Sequence, residues 1–110
     1  QQVGVIDFDK HDFEETGCTF GQADGLVNKA LEVEGVRMAV LASEREDGIK
    51  MSLRAVEPDT VNDIAVLFGG GGHAQAAGCT IHAPLQEALD QMLAAMKDKL
   101  DKTPRPEKRA

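Results

Sequence analysis

The stretch "IKMSLRA", residues 49–55, carries two cations and a hydroxyl at every second position. Side chains alternate between the two faces of a β-strand, so Lys50, Ser52 and Arg54 would lie together on one face. The apolar side chains would lie on the opposite face: Ile49, Met51, Leu53 and Ala55. Such a polar face is typical of an ordinary solvated strand, but it would also form one wall of an anion-binding site. An anion site needs a second wall.

The second candidate wall is the stretch "LFGGGGHAQAAGCT", residues 67–80, in which four glycines precede His73. Glycine backbone turns its amides toward one point without a Cβ in the way of a ligand, and a histidine donates to phosphate oxygens. We expect "HAQAA" to form a short helix whose N-terminus adds a partial positive charge there. The residues that would grip an anion are therefore the four glycines, Gly69 to Gly72, and His73. A flexible linker and a tight structural turn remain alternatives for the same glycines.

The residues before the glycines, "VNDIAVLF" at 61–68, decide which kind of glycine motif this is. Their apolar positions follow helical i, i+3, i+4, i+7 spacing: Val61, Ile64, Ala65 and Phe68. Thr60 and Asp63 have the spacing of a capping box, with Asp in place of Glu. A helix here is inconsistent with the strand–loop–helix order of a dinucleotide fold. Neither G-x-x-x-x-G-K-[ST] nor G-x-G-x-x-G fits the chain, so phosphate-loop and Rossmann folds are excluded.

The other periodic stretches predict the elements that position these residues. Strands are expected at 3–9, 36–43, 49–55 and 79–83, and helices at 11–18, 23–35 and 84–100. The polar turn "EREDG" between the second and third strands predicts a hairpin, and the last helix has an apolar stripe that would pack on a sheet. This order predicts an α/β domain: a mixed sheet of about four or five strands covered by helices. The Gly-rich loop would lie at one edge of the sheet, between a helix and a short helix leading into a strand.

Composition and charge narrow the function classes. The 110 residues have a formal net charge of −7, and residues 1–100 hold 8 basic and 17 acidic side chains. Such an acidic body repels long nucleic acid, so an anion site must be local. We expect residues 1–100 to form one domain and residues 101–110 a disordered tail. No apolar run is long enough to span a membrane and no export signal is present, so a cytoplasmic protein without membrane contact is expected.

The spacing of ligand residues does not indicate a metal or disulfide site. Cys18 and Cys79 form no CxxC pair, and His73 and His82 lie nine residues apart with no cysteine pair at zinc-ligand spacing. The stretch "DFDKHD", residues 7–12, contains candidate ligands but lacks partners elsewhere, so a solvated loop is expected. The chain also begins on a strand without an initiator Met, which predicts a fragment of a longer protein.

Three stretches together carry a family resemblance: "IKMSLRA", "ADGLVNKALEVEGVRMAVL" and "VNDIAVLFGGGGHAQAAGCTI". Over about residues 3–96 they resemble the DHH-associated C-terminal domain of DHH phosphoesterases, in the branch with oligoribonuclease and phosphoadenosine-phosphate phosphatase activity. The specific part is the G-G-G-H-x-x-A-A-G core, preceded by an S-[LF]-R strand and a V-N-x-I-A helix. The resemblance implies the substrate-binding domain of a manganese-dependent enzyme that hydrolyses short oligonucleotides or nucleoside 3′,5′-bisphosphates.

The same resemblance implies a division of labour between two domains. This domain would grip the substrate phosphate or terminal nucleotide, while manganese ions in an N-terminal DHH catalytic domain activate the attacking water. The contacts implied here come from Arg54, Gly70, Gly71, Gly72 and His73.

Other positions extend or weaken this resemblance. Lys50 and Ser52 are added to the site from strand alternation alone. The family's usual "SLRS" is "SLRA" here, so a hydroxyl contact at Ala55 is missing. The Asp-His-His signature does not occur in the 110 residues, so we expect no metal in this domain and no activity from it alone.

Two other functions fit the same residues. One is a nucleic-acid binding module, as in RecJ-type single-strand exonucleases or in a tRNA-end contact domain, because related glycine-rich domains occur in alanyl-tRNA synthetases. The other is a structural or dimerisation domain with a tight glycine turn. Under the preferred interpretation, the partners are a short RNA or DNA oligonucleotide or nucleotide phosphate, the N-terminal catalytic domain, and a second copy in a homodimer of the full-length enzyme.

Overall fold

A computed structural model of this chain describes residues 3–8 and 20–102. The strands in these ranges are β1 (Val3–Phe8), β2 (Met38–Arg45), β3 (Gly48–Ala55), β4 (Gly71–His73) and β5 (Ala76–Ile81), and the helices are α1 (Phe20–Ala30), α2 (Asn62–Leu67) and α3 (Leu85–Lys102). The predicted α/β class with four or five strands is confirmed. None of these helices is long and apolar enough to cross a membrane. The helix predicted at 11–18 and most of the predicted tail lie outside the described residues.

All five strands belong to one mixed sheet, in the order β1-β2-β3-β5-β4. β1 runs parallel to β2, and the other neighbours are antiparallel. The predicted hairpin of β2 and β3 is confirmed, with a two-residue turn at 46–47. β4 consists of part of the glycine segment, so this segment lies at an edge of the sheet, as predicted.

The main core lies on one face of the sheet, under α2 and α3. Alternate residues of β3 point into it and are at most 5% exposed: Ile49, Met51, Leu53 and Ala55. The apolar stripe of α3 contributes Ala88, Leu89, Met92, Met96 and Leu100. Since the chain has no tryptophan or tyrosine, flexible methionines fill much of the space between helix and sheet. The predicted packing of the last helix on the sheet is confirmed.

On the opposite face, α1 packs over β1 and β2. Val27 of α1 contacts Ala39 and Leu41 of β2, and all three side chains are buried. β2 is therefore buried on both faces, which explains its continuous apolar sequence. α1 ends at Ala30, before the helix end predicted at Gly35, because the chain leaves the helix through successive i→i+3 turns.

The short helix predicted for "HAQAA" is wrong. β4 and β5 form a tight antiparallel hairpin instead, with His73 opposite Ala76 and a turn at 74–75. Alanine and glutamine favour helices, but this weak local preference yields to tertiary pairing. The pairing is close because glycine lacks a Cβ: one added at Gly70 would lie 2.1 Å from the carbonyl oxygen of Gly78. The positive charge expected from a helix N-terminus is therefore not available beside the histidine.

The capping box predicted before α2 is also wrong. The N-cap residue is Val61, which makes no side-chain cap hydrogen bond. Thr60 and Asp63 bind the ammonium group of Lys99 from α3 instead. The Nζ atom donates to the carbonyl and hydroxyl oxygens of Thr60 and to both carboxylate oxygens of Asp63. These polar side chains therefore link α2 to α3.

Candidate functional site

The register of the sheet brings together the arginine of β3 and the histidine of β4. Arg54 lies directly opposite Ala76 of β5, and Ala76 lies directly opposite His73. Residues directly opposite each other project to the same face of a sheet. Arg54 and His73 therefore flank Ala76 on one face, with their Cα atoms about 10 Å apart across two strand spacings. This row is the centre of the candidate site.

Two further rows lie beside it on the same face. Ser52 pairs with Gly78, which pairs with Gly71, and Lys50 pairs with Thr80. The structure thus places the three polar residues of β3 on the same face as the histidine, around a floor of small residues. We call this surface the polar sheet face; it consists of Lys50, Ser52, Arg54, Gly71, His73, Ala76, Gly78 and Thr80.

The polar sheet face is accessible to a ligand. Lys50 and His73 are exposed, and Ser52 and Arg54 are half-buried. The Arg54 Nη1 atom donates to the carbonyl oxygen of Leu53 at 2.9 Å, which holds the side chain near its own strand. A guanidinium group has five N–H donors in a planar fork that matches phosphate oxygens. The chemistry of this face is therefore suited to an anion.

The four consecutive glycines have different surroundings. Gly70 lies against the β5 backbone, and Gly72 has a φ of +143°, where an added Cβ would lie 2.6 Å from the Cα of Ala77. A Cβ added at Gly71 would meet nothing within 4 Å. Gly70 and Gly72 are thus required by the close approach of β4 to β5, whereas packing does not require a glycine at position 71. The predicted Gly-rich loop is in large part an edge strand.

The β4–β5 turn is held by three hydrogen bonds to the end of β3 and to the connection between β3 and α2. The carbonyl oxygen of Ala74 accepts from the N–H of Val61 at 2.7 Å, and the carbonyl oxygen of Gln75 accepts from the N–H of Ala55 at 3.1 Å. The Gln75 Nε2 atom donates to the carbonyl oxygen of Asp59 at 2.8 Å. The position of the neighbouring histidine therefore depends on this connection.

A buried ion pair lies next to this turn, and the sequence patterns did not predict it. The guanidinium of Arg37 donates from Nε and Nη2 to the two carboxylate oxygens of Asp59, at 2.8 and 2.7 Å. Both residues are buried, at 5% and 6% exposure. The hydrogen bonds to Asp59 raise the pKa of Arg37, against the opposing effect of burial. Neither residue belongs to a motif, and no spacing rule joins residues 22 positions apart.

Residues 3–8 and 20–102 do not fit a metal centre. Within these ranges, no three His, Cys, Asp or Glu side chains come together to hold a metal ion. Asp7 is exposed on β1, and the rest of the predicted loop at 7–12 lies outside the described residues. Burial raises the pKa of Cys79 to about 11, although the charge of Lys50 opposes this shift. The Cys79 thiol is therefore protonated at neutral pH and is a poor nucleophile or metal ligand.

The sequence matches the family model of the DHHA1 domain over residues 3–102. It is 35% identical over 79 residues to the bifunctional oligoribonuclease and PAP phosphatase NrnA of Thermus thermophilus, which covers 71% of this chain and 24% of that protein. The protein of the same name from Bacillus subtilis is 31% identical over 88 residues, 80% of this chain and 27% of its own length. The chain thus spans about a quarter of the length of these curated relatives.

Solved structures share this fold. An exopolyphosphatase-related protein from Bacteroides fragilis has a TM-score of 0.80 at 28% identity, over 87% of this chain and 28% of that chain. The C-Ala domain of Aquifex aeolicus alanyl-tRNA synthetase has a TM-score of 0.64 at 14% identity, over 87% of each chain. RecJ from Thermus thermophilus, in complex with Mn²⁺, has a TM-score of 0.64 at 18% identity, over 98% of this chain and 15% of RecJ. The last two similarities show the fold alone.

Proposed function

The chain belongs to the DHHA1 domain family, and we propose that it is the substrate-binding domain of a manganese-dependent DHH phosphoesterase. The substrates would be short oligonucleotides or nucleoside 3′,5′-bisphosphates, since both NrnA relatives are named as oligoribonuclease and PAP phosphatase. The group gripped by this domain would be a substrate phosphate together with the nucleotide attached to it.

One observation carries the proposal: the row of Arg54, Ala76 and His73 on the polar sheet face. Arg54 lies on one side of the Ala76 methyl group and His73 on the other. Because this methyl group is small, a phosphate would fit between the two donor side chains. Arg54 offers a planar fork to two phosphate oxygens. His73 offers a further donor, and protonation of its ring strengthens the contact.

The site continues along β3 through Ser52 and Lys50. Two residues along a strand advance about 6.8 Å, so the Ser52 hydroxyl borders the phosphate held by Arg54. Lys50, about 13 Å from Arg54 along the strand, would bind the neighbouring phosphate, which a 5′-phosphorylated dinucleotide already supplies. Gly71 and Gly78 would keep the floor between these groups low enough for the substrate to lie on it.

The acidic balance of the chain favours short substrates. With 8 basic and 17 acidic side chains, residues 1–100 would repel the parts of a long strand that extend beyond the polar sheet face. A dinucleotide should therefore bind about as tightly as a twelve-mer, with a similarly small dependence on salt.

Hydrolysis requires groups that lie outside the described residues, which do not fit a manganese centre. We place the manganese ions in an N-terminal DHH catalytic domain of the same full-length enzyme, and a second copy of that enzyme would complete a homodimer. The isolated domain is expected to bind substrate without hydrolysing it.

A second candidate function is a contact domain for single strands or tRNA ends, which the fold shared with RecJ and the C-Ala domain favours. A groove that follows a strand gains affinity and salt dependence with the length of the nucleic acid. Length dependence therefore separates the two functions: a twelve-mer that binds far more tightly than a dinucleotide would favour the second.

The test is an NMR titration of the 110-residue chain with a 5′-phosphorylated dinucleotide and with a twelve-mer. Arg54→Ala and His73→Ala should each weaken dinucleotide binding about tenfold or more, because a hydrogen bond to a charged group contributes about 1.5–3 kcal/mol. As controls, Lys97→Ala and His82→Ala remove an exposed cation and an exposed histidine elsewhere and should not change the affinity. Unchanged binding in both site variants would remove this site from both candidate functions.

A further inference from the structure

We propose that Gln75 is a positioning residue for the histidine of the polar sheet face. Together with the buried ion pair of Arg37 and Asp59, it sets the position of His73. The proposal rests on the function proposed above, in which His73 and Arg54 grip one phosphate. Gln75 and the ion pair would act on the ligand through the β4–β5 turn and not by touching it.

A continuous chain of contacts runs from the start of β2 to this turn. Arg37 holds both carboxylate oxygens of Asp59, and the carbonyl oxygen of Asp59 accepts from Nε2 of Gln75 at 2.8 Å. Two backbone hydrogen bonds support the same arrangement. The N–H of Val56 donates to the carbonyl oxygen of Arg37 at 3.0 Å, and the N–H of Ala55 donates to that of Gln75 at 3.1 Å. The turn is thus tied to the end of β3, next to the arginine of the site.

The position of β4 depends on these hydrogen bonds because the strand itself buries few side-chain contacts. The strand has three residues, lies at the edge of the sheet, and is exposed along its whole length. Segments with few buried contacts open locally at low free energy. The N–H of Gly70 donates to the carbonyl oxygen of Ala65 at 2.8 Å and fixes the chain just before β4. The hydrogen bonds of the turn fix the other end, which carries His73.

The ion pair suits a positioning role better than a purely stabilising one. Removing two charges from water opposes folding, and well-packed apolar residues of similar volume often stabilise a protein as well or better. Apolar side chains at positions 37 and 59 would fill the same space but would not fix the orientation of residue 59. A carboxylate held at both oxygens by a guanidinium fork has a fixed orientation, and this fixes the residue whose carbonyl oxygen receives the Gln75 amide.

Gln75→Ala breaks the chain of contacts at one link and leaves the ion pair intact. Dinucleotide binding to the 110-residue chain, followed by NMR, should weaken about fivefold to tenfold, because a displaced histidine no longer meets the phosphate. Gln75→Met keeps most of the side-chain volume and should weaken binding equally. The matched control is Gln86→Ala on α3, which also removes an amide hydrogen bond, at 3.0 Å to Asp90. The control should bind like the wild type.

A double-mutant cycle distinguishes positioning from general stability. His73→Ala should weaken binding less in the Gln75→Ala protein than in the wild type, because the histidine there is already misplaced. A merely structural role of Gln75 would leave the effect of His73→Ala unchanged. Thermal unfolding of each variant shows whether it is folded at the temperature of the titration.

The results separate failure of this proposal from failure of the proposed function. If the wild type binds and His73→Ala weakens binding, but the Gln75 variants bind like the wild type or the two effects are independent, the positioning proposal is overturned and the proposed function stands. If the wild type does not bind, or if Arg54→Ala and His73→Ala leave binding unchanged, the proposed function fails and the positioning proposal fails with it.

Discussion

β2 is packed between helices, with β1 beside it, whereas β5 has buried side chains on one face only and β4 has none. In β2 six consecutive residues are buried, with α3 over one face and α1 over the other. In β5 and β4 the second face carries alanine, glycine, threonine and histidine. β3 lies between these halves and has a core face and a polar face.

This difference separates residues that stabilise the fold from residues that are available to a ligand. Every side chain in the first six positions of β2 is enclosed, so none of them can meet a substrate. The small side chains of β5 and β4 on the polar sheet face bury little apolar surface, and burial supplies stability in proportion to that surface. Substitutions on this face should therefore change binding more than stability.

The largest expected effect is that of Gly70→Ala, which would break the pairing of β4 with β5. The added Cβ would lie 2.1 Å from the carbonyl oxygen of Gly78 and 2.8 Å from the Cα of Cys79. Because both are backbone atoms, the strands must separate to make room. We expect the free energy of unfolding, measured in urea, to fall by about 3 kcal/mol or more.

Gly71→Ala is the matched control for this substitution, because its Cβ would meet nothing within 4 Å. The free energy of unfolding should change by less than about 1 kcal/mol. The new methyl group would stand on the polar sheet face opposite Gly78, so dinucleotide binding should weaken. Equal destabilisation by Gly70→Ala and Gly71→Ala would contradict the division that we draw between the two glycines.

The second prediction compares neighbouring residues on the two faces of β3. Leu53→Ala removes a fully buried core side chain and should lower the free energy of unfolding by about 2–5 kcal/mol. Ser52→Ala, on the polar sheet face, should change it by less than about 0.5 kcal/mol but weaken dinucleotide binding. Urea unfolding and NMR titration of both variants measure the two effects. If Ser52→Ala were as destabilising as Leu53→Ala, both faces of β3 would belong to the core.

Regular periodicity in the sequence made the two faces of β3 and the packing of α3 on the sheet predictable. The alternation from Ile49 to Ala55 predicted both faces of β3, and the spacing of Leu85, Met92 and Met96 predicted a helix packed on the sheet. Both predictions succeeded because strand and helix periods are local properties of the sequence that burial makes visible. The glycine core also identified the family.

Contacts between distant segments were not predictable in the same way. "HAQAA" contains helix-favouring residues, yet His73 and Ala76 pair across a hairpin because β5 also pairs with β3. Thr60 and Asp63 have capping-box spacing, but their side-chain oxygens accept hydrogen bonds from Lys99 of another helix. In each case an interaction with a residue far along the chain replaces the structure that the local pattern predicts. The spacing of residues in a single sequence does not reveal which distant residue this is.

The smallest expected effect tests whether the core side of the sheet is independent of the polar sheet face. Burial alone would raise the pKa of Asp63, but the hydrogen bonds and charge of Lys99, together with backbone hydrogen bonds at Asp63 and Ile64, outweigh it, so this pKa lies below its usual value of 3.8. A carboxylate with a lowered pKa stabilises the folded state above its usual pKa, and this contribution is lost as the pH falls through the lowered value. Because the Asp63 side chain is 60% exposed, water screens the pair and the contribution is below about 1 kcal/mol.

Lys99→Met should therefore lower the free energy of unfolding slightly at pH 7, and part of the difference from the wild type should disappear as the pH falls below about 3.8. Asp63→Asn should remove this pH-dependent part and also the part that the backbone hydrogen bonds contribute, although it keeps the hydrogen bonds from Lys99 to Thr60. Lys97→Met, which removes an exposed cation from the same helix, should keep the acid dependence of the wild type. A difference between Lys99→Met and the wild type that stays constant with pH would show that the ion pair contributes nothing. Lys99 also holds Thr60, which lies between Asp59 and Val61 in the connection that binds the β4–β5 turn. Asp63→Asn keeps these hydrogen bonds and should therefore leave dinucleotide affinity unchanged; a loss of affinity in this variant would mean that the two faces are coupled.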